Sequence, residues 1–222
     1  DYPVDGIWGH YYDASDWDYY SHHHRVPLTM LVLYNLKPEN FADGDINNHF
    51  KYAESDPSWI AEGENGIPDL LDEARWMVDF YKRTVDALEA AGVGTGGMSG
   101  YIGREGGNDC PSWEDDRNIA VKAEIPRATY YYAASAAYFA KALNVYNKEI
   151  LGKSSDHPEY NQWKSEAIDA YTWADNHDGN DTSSYKEIAA AALFSITANT
   201  SYEDDFYVCF QNDPKAGFGA WV

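Results

Sequence analysis

The stretch GENGIPDLLDEARWMVDF, residues 63–80, decides the fold class. Read on to Gly92, it places Leu70, Leu71, Ala74, Met77, Val78, Tyr81, Val85 and Leu88 at helical spacing, so one long amphipathic helix is expected. Pro68 suits its first turn, because proline has no N–H to lose there. Asp69, Asp72 and Glu73 suit the positive end of the helix dipole, and Gly92 suits its stop. The acidic groups of LLDEAR therefore read as dipole and salt-bridge residues rather than as catalysts.

Working outward, further helices are expected over about Val26–Leu36, Ile125–Tyr146, Pro158–Asn176 and Ser184–Ala198, with another starting near Tyr202. Pro38, Gly44, Pro57, Gly63 and Gly66 punctuate a long connection from 37 to 66. A second long connection, 92–122, is too long and glycine-rich for a simple linker. No stretch shows strand alternation joined by hairpin turns. The class is all-α, one domain over residues 1–222, with helices joined alternately by long and short connections. Antiparallel helices with their long loops gathered at one end build a toroid or solenoid, and that end is the natural place for a site.

The charge narrows the function. A formal net charge of −21 excludes a phosphate-binding footprint and an anionic membrane surface. It fits a neutral ligand. The chain is 16% aromatic, with 19 tyrosines and 8 tryptophans, which suits a cleft lined by rings with polar edges. No run approaches the length of a transmembrane helix, and no signal peptide is present. The chain starts at Asp1 without Met and stops at Val222, so both ends are expected to be cut from something longer. A disulfide between Cys110 and Cys209 is compatible with the sequence and not required by it.

The segment HYYDASDWDYY, residues 10–20, packs three aspartates among five aromatics. Two readings stand: a sugar site, where rings stack on pyranose faces and a carboxylate acts on water, or a solvated surface turn. Of Tyr11, Tyr12, Trp17, Tyr19 and Tyr20, alternate positions are expected to turn into the core.

DASD, at 13–16, resembles the DAGD signature of glycoside hydrolase family 9, the inverting β-glucanases. GENGIPDLLDEARWMVDF resembles that family's GNGIPDLLDEARW motif, the longer and more specific match. NDCPSW, at 108–113, resembles a cleft loop of aspartate, histidine, two variable residues and tryptophan. EIPRATYYYAASAAYFAKAL and SSYKEIAAAALFSITANTSYEDDF resemble the helices that follow, so the resemblance covers nearly the whole chain in order. It implies an (α/α)6 toroid of antiparallel helical hairpins, about half of it present, and a secreted enzyme whose cleft takes a β-1,4-glucan. By the same resemblance, Asp16 is the general base on water and Asp13 helps to orient that water. Tyr12, Trp17, Asp109 and Trp113 contact substrate, although a core role pinning its loop stays open for Trp113. Inverting hydrolysis needs a protonated carboxylic acid about 6.5–9.5 Å from the base. The family's acid is a glutamate near the module's end, and no stretch here matches it. The chain is thus expected to be the N-terminal part of an incomplete catalytic module, its remainder and accessory binding domains lying elsewhere.

The departures matter. Ser15 replaces a glycine, which is costly only where φ is positive. Cys110 replaces the cleft histidine. Lys186 stands where the family often has an acidic calcium ligand, and a cation repels calcium, so no cofactor is expected and a salt bridge from Lys186 to Glu187 or another carboxylate takes its place. A closed zinc site wants four ligands, and the two cysteines have no histidine at ligand spacing. The run His22–His24 suits helix-start packing or cleft lining better than metal. Two alternatives to the glucanase remain: a glucan-binding protein without catalysis, and a related glycosidase acting on xyloglucan, mixed-linkage glucan or oligosaccharides.

Overall fold

A computed structural model describes residues 2–3, 7, 9, 11, 18–19, 23–44, 65–104, 119–179 and 184–212. Six α-helices occupy most of these: α1 (Arg25–Leu36), α2 (Asp69–Ala90), α3 (Pro126–Val145), α4 (Tyr160–His177), α5 (Ser184–Thr197) and α6 (Thr200–Asn212). Four short strands accompany them: β1 (Tyr2–Pro3), β2 (Asp18–Tyr19), β3 (Tyr101–Arg104) and β4 (Ile119–Val121). They form one antiparallel sheet in the order β1-β4-β3-β2. At two to four residues each, these strands are too short to show the alternation that marks a strand in sequence.

The helices follow their sequence signals closely. Pro68 differs: it caps α2 from outside with an extended ψ of 136°, and its carbonyl accepts from the amides of Leu71 at 2.7 Å and Asp72 at 3.2 Å. At the other end Gly92 takes φ +71°, open to glycine at no steric cost. Its amide donates to Glu89 O at 2.9 Å and that of Val93 to Leu88 O at 3.1 Å, which closes α2 with a Schellman motif. Past its expected end, α3 runs into a π-helical turn, Tyr146–Ile150, where Leu151 N bonds Tyr146 O at 3.0 Å.

α3 is the centre of the molecule. It packs against α1, α2, α4 and α5, while α6 packs on α5. Its sequence PRATYYYAASAAYFAKALNV buries residues on every face, from Ala128 to Leu143. A helix apolar all round has to be enclosed, and alanine at 133, 134, 136, 137, 140 and 142 lets neighbouring helices approach closely. Tyr130, Tyr131 and Tyr132 are all buried, as expected of rings on this helix. Two ion pairs tie α2 to the start and middle of the α4 region: Arg75 with Glu159 at 2.7 Å and Lys82 with Glu166 at 3.0 Å. No described helix is long and apolar enough to cross a membrane.

Close packing around α3 makes a specific prediction. Ala134→Leu, at a fully buried position, costs about 1–3 kcal/mol by overpacking. Ala90→Leu, exposed at the end of α2, stays within about 0.5 kcal/mol. Denaturant midpoints of the two variants check the difference.

Candidate active site

The six residues expected to form the site, Tyr12, Asp13, Asp16, Trp17, Asp109 and Trp113, lie outside the described residues, as do Ser15, Cys110 and His22. What the structure describes is the frame on either side of them. Upstream of DASD, Ile7 is buried and Gly9 lies against α2 with φ +99°. A Cβ at Gly9 would stand 2.6 Å from Arg83 Nη2, the movable end of a long side chain, so it is the positive φ that calls for glycine here. Tyr11 then fastens to the PDLLDEAR helix: its hydroxyl donates to the Glu73 carboxylate and lies 3.1 Å from the Glu73 carbonyl.

Downstream of DASD, Asp18 pairs with Ile102 and Tyr19 with Tyr101. β3 pairs on its other side with β4, Ile102 facing Val121 and Arg104 facing Ile119. Because β2 and β3 are antiparallel, the chain enters β2 at the same end of the sheet where it leaves β3 after Arg104 and enters β4 at Ile119. The segment holding Asp13 and Asp16 and the segment holding Asp109 and Trp113 are therefore both attached to that end of the sheet.

The acidic residues of the long motif act as latches on loop ends. The Asp69 carboxylate accepts from Gly44 N at 2.9 Å. The buried Asp72 carboxylate accepts from Asn65 Nδ2 at 2.7 Å. Asp43 accepts in turn from the amides of Asn65 at 3.2 Å and Gly66 at 2.6 Å. Together they bring the chain at 41–44 against the chain at 65–69. Helix-dipole placement was legible at Asp69 and Asp72; their hydrogen bonds to Gly44, twenty-five residues earlier, and to Asn65, seven residues earlier, were not.

His24 is buried at the start of α1, the expected helix-start packing. Its Nδ1 shares a hydrogen bond with the Tyr81 hydroxyl, and its ring stacks on Tyr131 with centroids 5.5 Å apart.

Lys186 shows the most concentrated electrostatics. Its ammonium bonds Asp175 of α4 and stands 3.9 Å from both Asp178, just past α4, and Asp205 of α6. Its partners are thus other carboxylates rather than Glu187. Consecutive helix residues point in different directions, and Glu187 faces the fully buried interior of α5. Tyr130 donates to Asp178, and Tyr171 donates to Asp205 at 2.8 Å. Burial first, then these carboxylates, push both phenols up from their ordinary value. Burial opposes the charge on Lys186, but the hydrogen bond to Asp175 and the three aspartate charges win and raise its pKa. Cys209 is buried nearby on α6. Among the described residues, no group of three His, Cys, Asp or Glu side chains is arranged to hold a metal.

No family model matches the chain, and no curated protein matches it. Solved structures do. A metagenome-derived glycoside hydrolase family 9 endoglucanase matches 96% of this chain at 20% identity and a TM-score of 0.61. A Bacteroides ovatus GH9 structure matches 84% at 19% identity and a TM-score of 0.62. A single mutant (D468A) of a thermostable endoglucanase from Alicyclobacillus acidocaldarius matches 89% at 16% identity and a TM-score of 0.57. The chain has the fold of family 9 glycoside hydrolase structures. It is all-α, an arc of the helical hairpins that make an (α/α)6 toroid, and it spans about a third of the length of each of these structures, 34–36%.

The Lys186 cluster has a testable pH signature. A lysine pKa raised in the folded state gives stability that is fully present below its ordinary value of 10.5 and is lost as pH climbs through the folded value. The raised phenols of Tyr130 and Tyr171 act with the same sign. Lys186→Met should cost about 3 kcal/mol at neutral pH, because it leaves the Asp178 carboxylate, 2% exposed, without its ammonium. Above pH 10.5 the gap between wild type and variant should narrow, which urea titrations at pH 8 and 11 measure.

Proposed function

We propose that this chain supplies the water-activating side of an inverting glycosidase site that cuts β-1,4-glucosidic bonds in cellulose or a related β-glucan. Asp16 takes a proton from water as the water attacks the anomeric carbon. Asp13 holds that water by a second hydrogen bond. Rings at Tyr12, Trp17 and Trp113, with the Asp109 carboxylate, grip neighbouring sugars. The leaving oxygen receives its proton from a carboxylic acid outside these 222 residues, so the activity belongs to the longer, secreted protein.

One observation carries the reading: the antiparallel register of β2 with β3 and β4 attaches both candidate segments to one end of the sheet. Base and sugar-gripping residues must meet within one cleft, and this topology supports that. The DASD and GIPDLLDEARW motifs, in family order on a fold shared with family 9 structures, add to it.

In the full-length protein, Asp16→Asn should lower glucan hydrolysis by at least about 100-fold, the scale of a lost general base. Glucan binding measured by calorimetry should stay within about twofold, since the amide keeps size and hydrogen bonding. Full activity in the variant would remove Asp16 from this role.

Ser15 and Cys110, which depart from the family's pattern, favour a second reading, a glucan-binding protein without turnover. Reducing sugar released by the full-length protein rules it out. A panel of cellulose, xyloglucan, mixed-linkage glucan and oligosaccharides assigns the substrate.

A further inference from the structure

A second cleft lies at the far end of α3 from the sheet. Lys141 stands fifteen residues beyond Pro126, about 22 Å along the helix axis. There the C-terminal ends of α3 and α5, the π-helical turn and the start of α4 line an open cleft of about 180 Å³. Lys141, Glu149, Tyr160 and Ser195 present polar atoms to it, and Val145 and Ile196 supply apolar wall.

The hydrogen-bonding capacity left over in this cleft is informative. Asn144 is partly used: its Nδ2 donates to Asp156 at 3.0 Å and its Oδ1 accepts from His157 N at 3.1 Å. Lys148 is committed to Asp156 at 2.5 Å. The Tyr160 hydroxyl gives its proton to Ile196 O at 3.1 Å and the Ser195 hydroxyl to Ala192 O at 2.7 Å, so each retains only acceptor capacity. Lys141 is half-buried, has no ion pair or hydrogen bond among the described residues, and keeps all of its N–H donors. Its ammonium is also disfavoured by burial. By contrast Arg75, Lys82, Lys148 and Lys186 each hold a carboxylate, in a chain with 37 acidic and 16 basic residues.

The cleft thus offers the Lys141 ammonium as its wholly unused donor group, beside the N–H groups that Lys148 and Asn144 have left, and three acceptors: the Glu149 carboxylate and the oxygens of Tyr160 and Ser195. A small anion satisfies the donor, leaves the acceptors idle and meets Glu149 with like charge. A neutral polyol satisfies both kinds of group, because each hydroxyl donates and accepts. We propose that the cleft between Lys141, Glu149, Tyr160 and Ser195 is a binding site for a single neutral pyranose, free or at the end of a glycan chain, separate from the DASD segment. Lys141 donates to ring or hydroxyl oxygens, and Glu149 accepts from hydroxyls beside them. The Tyr160 ring, with Val145 and Ile196, covers C–H surface.

Nuclear magnetic resonance titration of the protein tests this. Methyl β-glucoside and cellobiose should shift the amide signals of residues 141–149, 160 and 195–196 saturably, with a dissociation constant on the order of 1 mM. Unequal response to the two sugars separates the free monosaccharide from a chain end. Lys141→Met should weaken the effect about tenfold or more. Glu149→Ala, at an exposed position that leaves folding intact, should also weaken it. The sign for Glu149→Ala is decisive, because an anion would bind that variant more tightly. Saturable shifts with sodium acetate or phosphate and none with sugar overturn the proposal, and so does an absence of shifts with all four ligands. Signals from residues outside the cleft do not enter the test, so sugar held at the DASD segment leaves its outcome unchanged.

Discussion

Burial of α3 on every face from Ala128 to Ala140 is the constraint on which the rest of the structure depends. That stretch has to be enclosed by α1, α2, α4 and α5 before its apolar surface is satisfied. Its alanines set how close the neighbours come, and its tyrosines set what those neighbours must carry. A buried phenol favours a partner for its hydroxyl, which Tyr130 and Tyr132 find and Tyr138, on the same helix, does not among the described residues. Tyr130 finds Asp178, and Tyr132 finds Glu166 at 2.7 Å. Each carboxylate drawn inward then needs a cation, which Lys186 supplies to Asp178 and Lys82 supplies to Glu166. The order of demand runs from apolar helix to ring, hydroxyl, carboxylate and ammonium. In this way one packing requirement fixes residues on four other elements.

The same demand for partners extends to carboxylates that meet N–H groups rather than cations. Asp43, Asp69 and Asp72 bind backbone or amide N–H groups at the ends of a long connection. Glu124 does so for the 95–97 loop, accepting from Thr95 N at 2.7 Å and Gly97 N at 2.8 Å. Charge-assisted hydrogen bonds from these N–H groups replace the hydration that the carboxylates lose. The described chain at 41–44, 65–66 and 95–97 is thereby held to the helical scaffold by carboxylates rather than by lysines.

Helices were legible in the sequence because their signals are long. Over α2, eight apolar positions at helical spacing and a glycine stop leave little room for another reading. The sheet was not legible, since β2 has two residues and its partner strand lies more than eighty residues later. Pro68 read as a first-turn residue and stands one position earlier, a difference of one residue between two conformations that proline accepts equally. The Lys186 partners were legible only as a class, because Asp175 and Asp205 are brought to Lys186 by the packing of α4 and α6 against their neighbours. For the site, Asp13 and Asp16 were nameable from a four-residue motif. Their frame, with Tyr11 on Glu73 and Asp18 on Ile102, required the fold.

That frame bears on how a glucanase base would be held in place. Asp16 stands two residues before Asp18, whose position is set by pairing with Ile102. A slip of one residue in β2 would carry the chain about 3.3 Å along the sheet and turn successive side chains to the opposite face. Catalytic geometry tolerates far less than that, on the order of 0.5 Å. Two residues of strand cannot specify a register by themselves, so β3 must be rigid for β2 to copy it. The structure shows why β3 is. β4 pairs with its other side from Ile102 to Arg104, and Lys122 N donates to Tyr101 O at 3.1 Å. The Ser99 hydroxyl reaches the carbonyls of Tyr101 at 2.7 Å and Lys122 at 2.9 Å, which locks the strand's entry. Ile102 and Val121 then bury into the same core as α3. Precision at Asp16 would thus come from the helical core, passed through Ile102 to the register of β2.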